Sequence, residues 1–221
     1  MENALIIGAS GGIGTALMQA LTARGVAVTG LSRSEHGLDV TDEASVRAAL
    51  EPLAGPYDLI FVATGALEIQ GATPEKSLKE LNAQAMLNQF ALNSVGPSLV
   101  LKHSVRLLPR DRRAVFAALS ARVGSIGDNR LGGWYSYRTA KSALNQMLHG
   151  AAIELSRTHK HAICVALHPG TVATSFTEKY VGNRPTVTPQ QAASNLLDVV
   201  DGLTEGETGA FFDWQGEPVP W

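Results

Sequence analysis

The sequence predicts an α/β protein: one doubly wound parallel sheet with helices on both faces, in a single domain over residues 1–221. Three observations carry that expectation. Short apolar runs alternate along the chain with longer segments of helical period, which is the order of a parallel sheet with crossover helices. The runs are apolar at every position rather than at alternate ones, as in strands buried on both faces. No linker, repeat or low-complexity stretch divides the 221 residues, a length that suits one domain of about 100–200 residues or slightly more.

The elements follow in order. Ala4-Leu-Ile-Ile-Gly8 is an apolar run that ends in glycines and reads as the first strand. Ile13, Leu17 and Leu21, with Ala16 and Ala20, then recur at helical spacing, and Val26 to Leu31 reads as a second buried strand. Leu38-Asp-Val40 reads as a short third strand, and Asp42 to Leu50 as a helix with acids in its first turn, where the helix dipole favours them. Tyr57 to Ala63 is the next strand, Ser77 to Leu108 a short helix and then a long one, and Val115 to Leu119 another strand. Tyr135 to Thr158 is a helix, Ala162 to Leu167 a strand, Pro189 to Leu203 a helix opened by Thr188-Pro189, and Gly209 to Phe212 the last strand. The polar, proline-containing stretch 175–189 interrupts the alternation and reads as a substrate lid.

Composition removes several classes of function. Lys and Arg number 18 against 20 Asp and Glu, so no global basic field exists to hold nucleic acid or an anionic membrane surface. Aromatic residues at 6% argue against a stacking surface for single strands. Cys164 stands alone, which excludes an internal disulfide and a cysteine-based metal cage and fits a reducing compartment, the cytoplasm. No basic leader opens the chain, and no apolar run approaches the roughly 18–20 residues that span a bilayer. His159, His161 and His168 have no metal-ligand spacing, so no metal is expected; the arginines at 106, 110, 112 and 113 read as a solvated loop, and Cys164 as a small core residue.

The 22 glycines concentrate informatively near the N-terminus. Gly8-Ala-Ser-Gly-Gly-Ile-Gly14 lies between a predicted strand and a predicted helix, the context in which glycines let a backbone approach a pyrophosphate lying on a helix N-terminus. Gly8, Ser10, Gly11, Gly12, Ile13 and Gly14 are therefore candidate dinucleotide-binding residues. Tyr137-Arg-Thr-Ala-Lys141 opens a predicted helix, and one turn places the phenol and the ammonium on the same face.

With these two motifs in order, the chain resembles the short-chain dehydrogenase/reductase family, whose Rossmann-type fold carries a glycine motif of this G-x-x-x-G-x-G spacing after its first strand. Asn93-Ser-Val-Gly-Pro97 resembles the family's helical Asn, Thr64-Gly65 a degenerate form of its Asn-Asn-Ala-Gly stretch, and His168-Pro-Gly-Thr-Val-Ala-Thr174 its Pro-Gly-x-x-x-Thr segment. The loop from Ser120 to Ser125, the approach from Gly132 to Arg138 and the ending from Gly209 to Trp221 are similar to the C-factor-like members. The likeness runs from Ala4 to about Phe212.

The resemblance implies an oxidoreductase that interconverts a carbonyl and an alcohol, with Tyr137 as acid/base. Lys141 would lower the tyrosine's pKa and also bind the nicotinamide ribose. Asn93 would hold a water joining Lys141 to solvent, or, read from the residues alone, is a polar side chain satisfied in a helix kink. The family's carbonyl-binding serine falls on Ala121, so Ser120, or else Ser125, would supply that hydroxyl, or no serine acts and part of the electrostatic help at the carbonyl is lost. Thr64, Gly65, Pro169, Gly170, Val172 and Thr174 would line the cofactor, with Asp39 and Val40 near the adenine. Ser32 stands where an acid would bind the ribose of NAD, and Arg33 follows it, which favours the 2′-phosphate of NADP(H). A homodimer or homotetramer through the two long helices is implied, with a small-molecule carbonyl or alcohol as substrate. Ala121 also supports the alternative of an NADP(H)-binding sensor with little turnover.

Overall fold

The computed structural model describes residues 1–174, 176–183 and 185–221. Six strands form one parallel sheet: β1 (Asn3–Ile7), β2 (Ala27–Leu31), β3 (Leu59–Val62), β4 (Ala114–Leu119), β5 (Ala162–His168) and β6 (Phe211–Asp213), in the order β2-β1-β3-β4-β5-β6. Seven α-helices connect them: α1 (Gly12–Ala23), α2 (Arg33–His36), α3 (Glu43–Leu50), α4 (Ala83–Phe90), α5 (Gly96–Ser104), α6 (Tyr135–Leu155) and α7 (Pro189–Gly202).

The central strands β3 and β4 are buried at every position, and alternate residues serve two separate cores. Leu5, Ile7, Ile60, Phe116 and Cys164 point to one face, where Val46, Leu50, Val100, Leu144 and Leu148 of α3, α5 and α6 cover them. Ala4, Ile6, Phe61, Val115 and Val165 point to the other, under Leu17 and Leu21 of α1 and Leu196, Leu197 and Val200 of α7. This is the two-sided burial that the unbroken apolar runs demand. Cys164 is a core residue, its thiol pushed up to about 12 by burial.

Two expectations are corrected. Leu38-Asp-Val40 forms no strand, because side chains and a turn take its backbone groups: Leu38 N donates to Ser32 O at 3.3 Å and Asp39 N to Ser45 Oγ at 3.0 Å. Leu38 and Val40 are still buried, which explains their apolar signal. With no strand beyond it, β2 is an edge strand and only Leu31 in it is buried. The arginines after α5 are exposed, as expected of a solvated loop, but two of them also reach distant helix ends. Arg106 donates to the carbonyls of Leu50, Glu51 and Leu53 at the end of α3, and Arg113 to those of Val200 and Leu203 at the end of α7. Cations suit those sites because the helix dipole leaves the terminal carbonyls negative.

No helix among the described residues is long and apolar enough to cross a membrane, and no group of three or more potential ligands could hold a metal ion.

Asp58, just ahead of β3, ties the start of β1 to the sheet. Its carboxylate accepts from Glu2 N at 2.6 Å, Asn3 N at 3.2 Å and Arg112 Nε at 3.0 Å. Burial pushes its pKa up, but these hydrogen bonds and the guanidinium outweigh it, so the carboxyl titrates below the usual 3.8. A carboxyl with a depressed folded pKa contributes stability above its unfolded pKa and loses it as pH falls through the folded value. The melting temperature should therefore fall more steeply below pH 4 in the wild type than in Asp58→Asn; equal acid dependence would refute the assignment.

Candidate functional site

The carboxyl ends of β1, β3, β4 and β5 open into one cavity of about 710 Å³. The chain leaves β1 for β2 on one side and returns to β3 on the other, so this crevice lies where the strand order reverses, the place at which open α/β sheets bind ligands.

The glycine turn forms one wall. Gly8 has φ +88°, and a Cβ there would stand 3.0 Å from the Ala63 carbonyl; a Cβ on Gly14 would stand 2.1 Å from Gly8 O. Only glycine allows β1, the turn and α1 to pack this closely. Helix α1 then begins with no side-chain cap and no acid in its first turn, while Gly11, Gly12 and Ile13 line the cavity. Uncapped amides at a helix N-terminus fit a phosphate. Ser10 is exposed at the tip of the turn.

Beyond β2, Ser32, Arg33, Asp39 and Val40 lie outside the cavity lining. Ser32 Oγ accepts from Glu35 N at 3.3 Å, and Arg33 is exposed. Asp39 Oδ1 accepts from the Thr41 hydroxyl at 2.7 Å and the Thr41 amide at 2.9 Å, which hold its carboxyl below the usual range. Val40 is buried against Gly96, where a Cβ would lie 2.9 Å from Val40 Cγ2.

Tyr137 and Lys141, on the first turns of α6, both line the cavity. Lys141 Nζ donates to Leu119 O at 2.8 Å and stands 5.8 Å from the centre of the Tyr137 ring. Burial pulls the ammonium down to about 7 and pushes the phenol above its ordinary value. Burial of the phenol thus outweighs the expected lowering of its pKa by Lys141, whose ammonium is itself engaged with a carbonyl.

Asn93 sits in a π-helical turn, Ala91–Val95, between α4 and α5. Its Nδ2 donates to Ala66 O at 3.0 Å and Gln89 Oε1 at 2.7 Å, and its Oδ1 accepts from Ala66 N at 3.2 Å. The side chain is fully used within the kink, pinning the loop that carries Thr64 and Gly65 on the cavity wall. Ser120 lines the cavity and donates to Asn145 Oδ1 at 2.6 Å, whereas Ser125 is turned toward Pro220 O and lies off the wall. Pro169, Gly170, Val172 and Thr174 all face the cavity, Thr174 close enough to Gly12 that a Cβ there would come within 2.9 Å of its methyl. Two of the buried polar atoms without a partner, Thr64 Oγ1 and His168 Nδ1, belong to cavity-lining residues. Orphaned atoms on a wall beside an uncapped helix fit a polar ligand such as a dinucleotide.

Sequence reasoning missed much of the remaining wall. Trp134 and Phe176 stand edge to face with Tyr137 at ring-centre distances of 6.4 and 6.3 Å, and Tyr180 packs edge to face on Trp134 at 5.6 Å. Within the stretch 175–189, whose positions 175 and 184 lie outside the described residues, Tyr180 OH donates to Glu68 at 2.6 Å and Lys179 Nζ at 2.9 Å, fastening this segment over the opening. Asn145 was legible in principle, since it continues the Tyr137–Lys141 spacing by one more turn. Buried Glu75 accepts from the Ser136 amide at 3.2 Å and from the Ser136 hydroxyl, so a carboxylate caps the helix that presents Tyr137.

A family model described as enoyl-(acyl carrier protein) reductase matches residues 8–201. The chain belongs to the short-chain dehydrogenase/reductase family. Among its relatives, 1-hydroxy-2-glutathionyl-2-methyl-3-butene dehydrogenase of Rhodococcus sp. strain AD45 is 30% identical over the full length of both chains. C-signal of Myxococcus xanthus is 31% identical over 76% of this chain and 94% of its own, in keeping with the C-factor-like features of the loops. A short-chain dehydrogenase/reductase of Burkholderia multivorans, solved with bound NADP, superposes with a TM-score of 0.86 at 26% identity, covering 100% of this chain and 99% of the other. Oxidoreduction is the coarse assignment that membership gives to this short-chain dehydrogenase/reductase.

A buried lysine leaves a signature in stability. The folded protein holds Lys141 near 7 against an ordinary 10.5, so between those values it binds fewer protons than the unfolded chain and its stability rises with pH. Ligand-free wild type should gain melting temperature from pH 7 to pH 10 relative to Lys141→Met, and the variant should melt higher than wild type at pH 6. A variant that melts lower at every pH would overturn the burial penalty.

Proposed function

We propose that this chain interconverts a carbonyl and an alcohol on a small molecule with NADP(H) as cofactor. The observation that carries the reading is the Tyr137 phenol and Lys141 ammonium on one wall of a cavity whose other wall is an uncapped helix N-terminus behind a glycine turn. When bound, NADPH supplies hydride to the carbonyl carbon.

Gly8, Ser10, Gly11, Gly12, Ile13 and Gly14 hold the pyrophosphate; Thr64, Gly65, Pro169, Gly170, Val172 and Thr174 flank the nicotinamide half; and Asp39 and Val40 flank the adenine. Ser32 and Arg33 take the 2′-phosphate, since a guanidinium pairs with phosphate and no acid stands there to repel it. Tyr137 delivers its proton to the oxygen as negative charge develops there. Burial keeps that proton on the phenol until it is needed, and Lys141, half-protonated near neutrality, stabilises the phenolate left behind. Ser120, oriented by Asn145, replaces the hydroxyl lost at Ala121 and steadies the carbonyl oxygen. Asn93 acts through the loop it pins. The protein works in the cytoplasm as a homodimer or homotetramer, with Leu87 and Val95 on the α4–α5 segment and Met147 and Ile153 on α6 as the exposed apolar residues of its contact faces.

Tyr137→Phe should bind NADPH, followed by the change in nicotinamide fluorescence, and lose about 10²–10⁴-fold in the rate of NADPH oxidation by an aldehyde or ketone panel. Full activity in that variant would refute the mechanism, and wild-type binding with no turnover across the panel would leave a sensor in its place. Arg33→Asp should raise KM for NADPH and narrow its advantage over NADH by about tenfold or more, since every 1.4 kcal/mol is tenfold; an unchanged ratio would remove Arg33 from the cofactor site.

A further inference from the structure

The cavity carries charge that hydride and proton transfer leave unused. Three guanidiniums, of Arg122, Arg130 and Arg138, line it against one carboxylate, of Asp128, in a chain whose formal net charge is −2. Arg122 is already balanced: its Nε donates to Asp128 Oδ2 at 2.5 Å, and Nη1 stands 3.5 Å from Asp213 Oδ2. Arg130 and Arg138 form no ion pair among the described residues.

Arg138 is held in place. Its Nε donates to Gly133 O at 2.9 Å and Nη1 to Val123 O at 3.3 Å, which leaves Nη2 without a partner among the described residues. The side chain is half-buried, and burial alone pulls its pKa down, the mark of a cation with no counter-charge beside it. Such a group is costly to bury unpaired and binds an anion with little loss of its own freedom, because two of its bonds already fix the plane.

The phosphate-holding parts of the proposed cofactor site lie elsewhere in the sheet, which leaves these charges to the substrate. The glycine turn and Arg33 follow β1 and β2, whereas Arg122 and Arg130 follow β4 and Arg138 opens α6; β3 separates the two groups in the sheet. Around them the wall is apolar and aromatic, with Trp134, Phe176, Tyr180, Leu131 and Val181. The cavity therefore offers an apolar surface to the body of a ligand and unmatched positive charge at one end.

We propose that the substrate is an anion: a small apolar or aromatic carbonyl compound, or the matching alcohol, whose carboxylate pairs with Arg138 Nη2 and Arg130 while its reacting carbon faces Tyr137. This inference rests on the oxidoreductase reading above. Because Arg130 is exposed, its share is screened by salt, and Arg138 carries the larger part.

The test uses matched acids and esters with NADPH and the full chain: 4-carboxybenzaldehyde against methyl 4-formylbenzoate, and 4-oxopentanoate against its methyl ester. Wild type should favour the acid in kcat/KM by about tenfold or more, as a charge-assisted pair would give. The acid-to-ester ratio should collapse toward unity in Arg138→Gln and shrink in Arg130→Gln, while Arg138→Lys restores part of it. A wild-type ratio at or below unity would overturn the proposal, and so would an acid preference that both variants retain. Should none of these compounds turn over, titration of 4-(hydroxymethyl)benzoate and its methyl ester into the NADP⁺-loaded protein decides: equal binding overturns the proposal and tighter acid binding sustains it. Protein that fails to bind NADPH at all fails the oxidoreductase reading itself, whereas NADPH binding with no acid preference fails only the anion assignment.

Discussion

The hydrogen bond from the Lys141 ammonium to the Leu119 carbonyl is the constraint around which the rest of the site is arranged. It joins the helix that presents Tyr137 to the carboxyl end of a central strand, and it does so with a charged group removed from water. An ammonium in such a place costs several kcal/mol unless its environment repays it. Here a single carbonyl meets it and the ring of Tyr137 lies 5.8 Å away. The sheet must therefore be rigid enough to hold an unfavourable group, and the two-sided cores around β3 and β4 supply that rigidity. What the fold loses in stability at Lys141 shows as an ammonium that burial pulls down to about 7.

Much of this was legible in the sequence, and for identifiable reasons. The unbroken apolar runs at Ala4–Ile7 and Val115–Leu119 reported strands covered on both sides, because burial on two faces leaves no position free to be polar. The glycine turn was legible because steric exclusion is absolute: nothing but glycine fits where a Cβ would stand 2.1 Å from a carbonyl oxygen. Val26–Leu31 is the strand it reads as, but it lies at the sheet edge and only Leu31 is buried, because no strand covers its outer side. Leu38–Val40 misled for the complementary reason: Leu38 and Val40 are buried, and burial does not say whether the backbone is laddered to a neighbour. The arginines at 106 and 113 read only as exposed loop residues, whereas the carbonyls they satisfy belong to the ends of α3 and α7. Spatial proximity between distant helix ends has no local signature.

The Tyr137–Lys141 pair and the glycine turn are local motifs, and each lies within eight residues. The wall around them comes from Leu67, Leu131, Trp134, Phe176 and Tyr180, gathered from three separated loops. Their types carry no periodicity, since loops set the positions of side chains by closure onto the sheet rather than by a repeat. The local motifs are thus written in short stretches of sequence and the shape of the cavity in the way those stretches meet.

Trp134 closes the circle between those two levels. It follows Gly132 and Gly133, and all three residues have positive φ, of 63°, 65° and 51°. The glycines adopt that backbone freely, but a tryptophan there is strained by about 1–2 kcal/mol. Glycine or asparagine would relieve the strain and firm the entry to α6, yet either would remove an aromatic wall from beside Tyr137. Position 134 is therefore one at which durability and cavity shape pull on the same codon in opposite directions. A lineage selected for heat resistance alone would be drawn to surrender its tryptophan first, and with it the aromatic wall beside Tyr137.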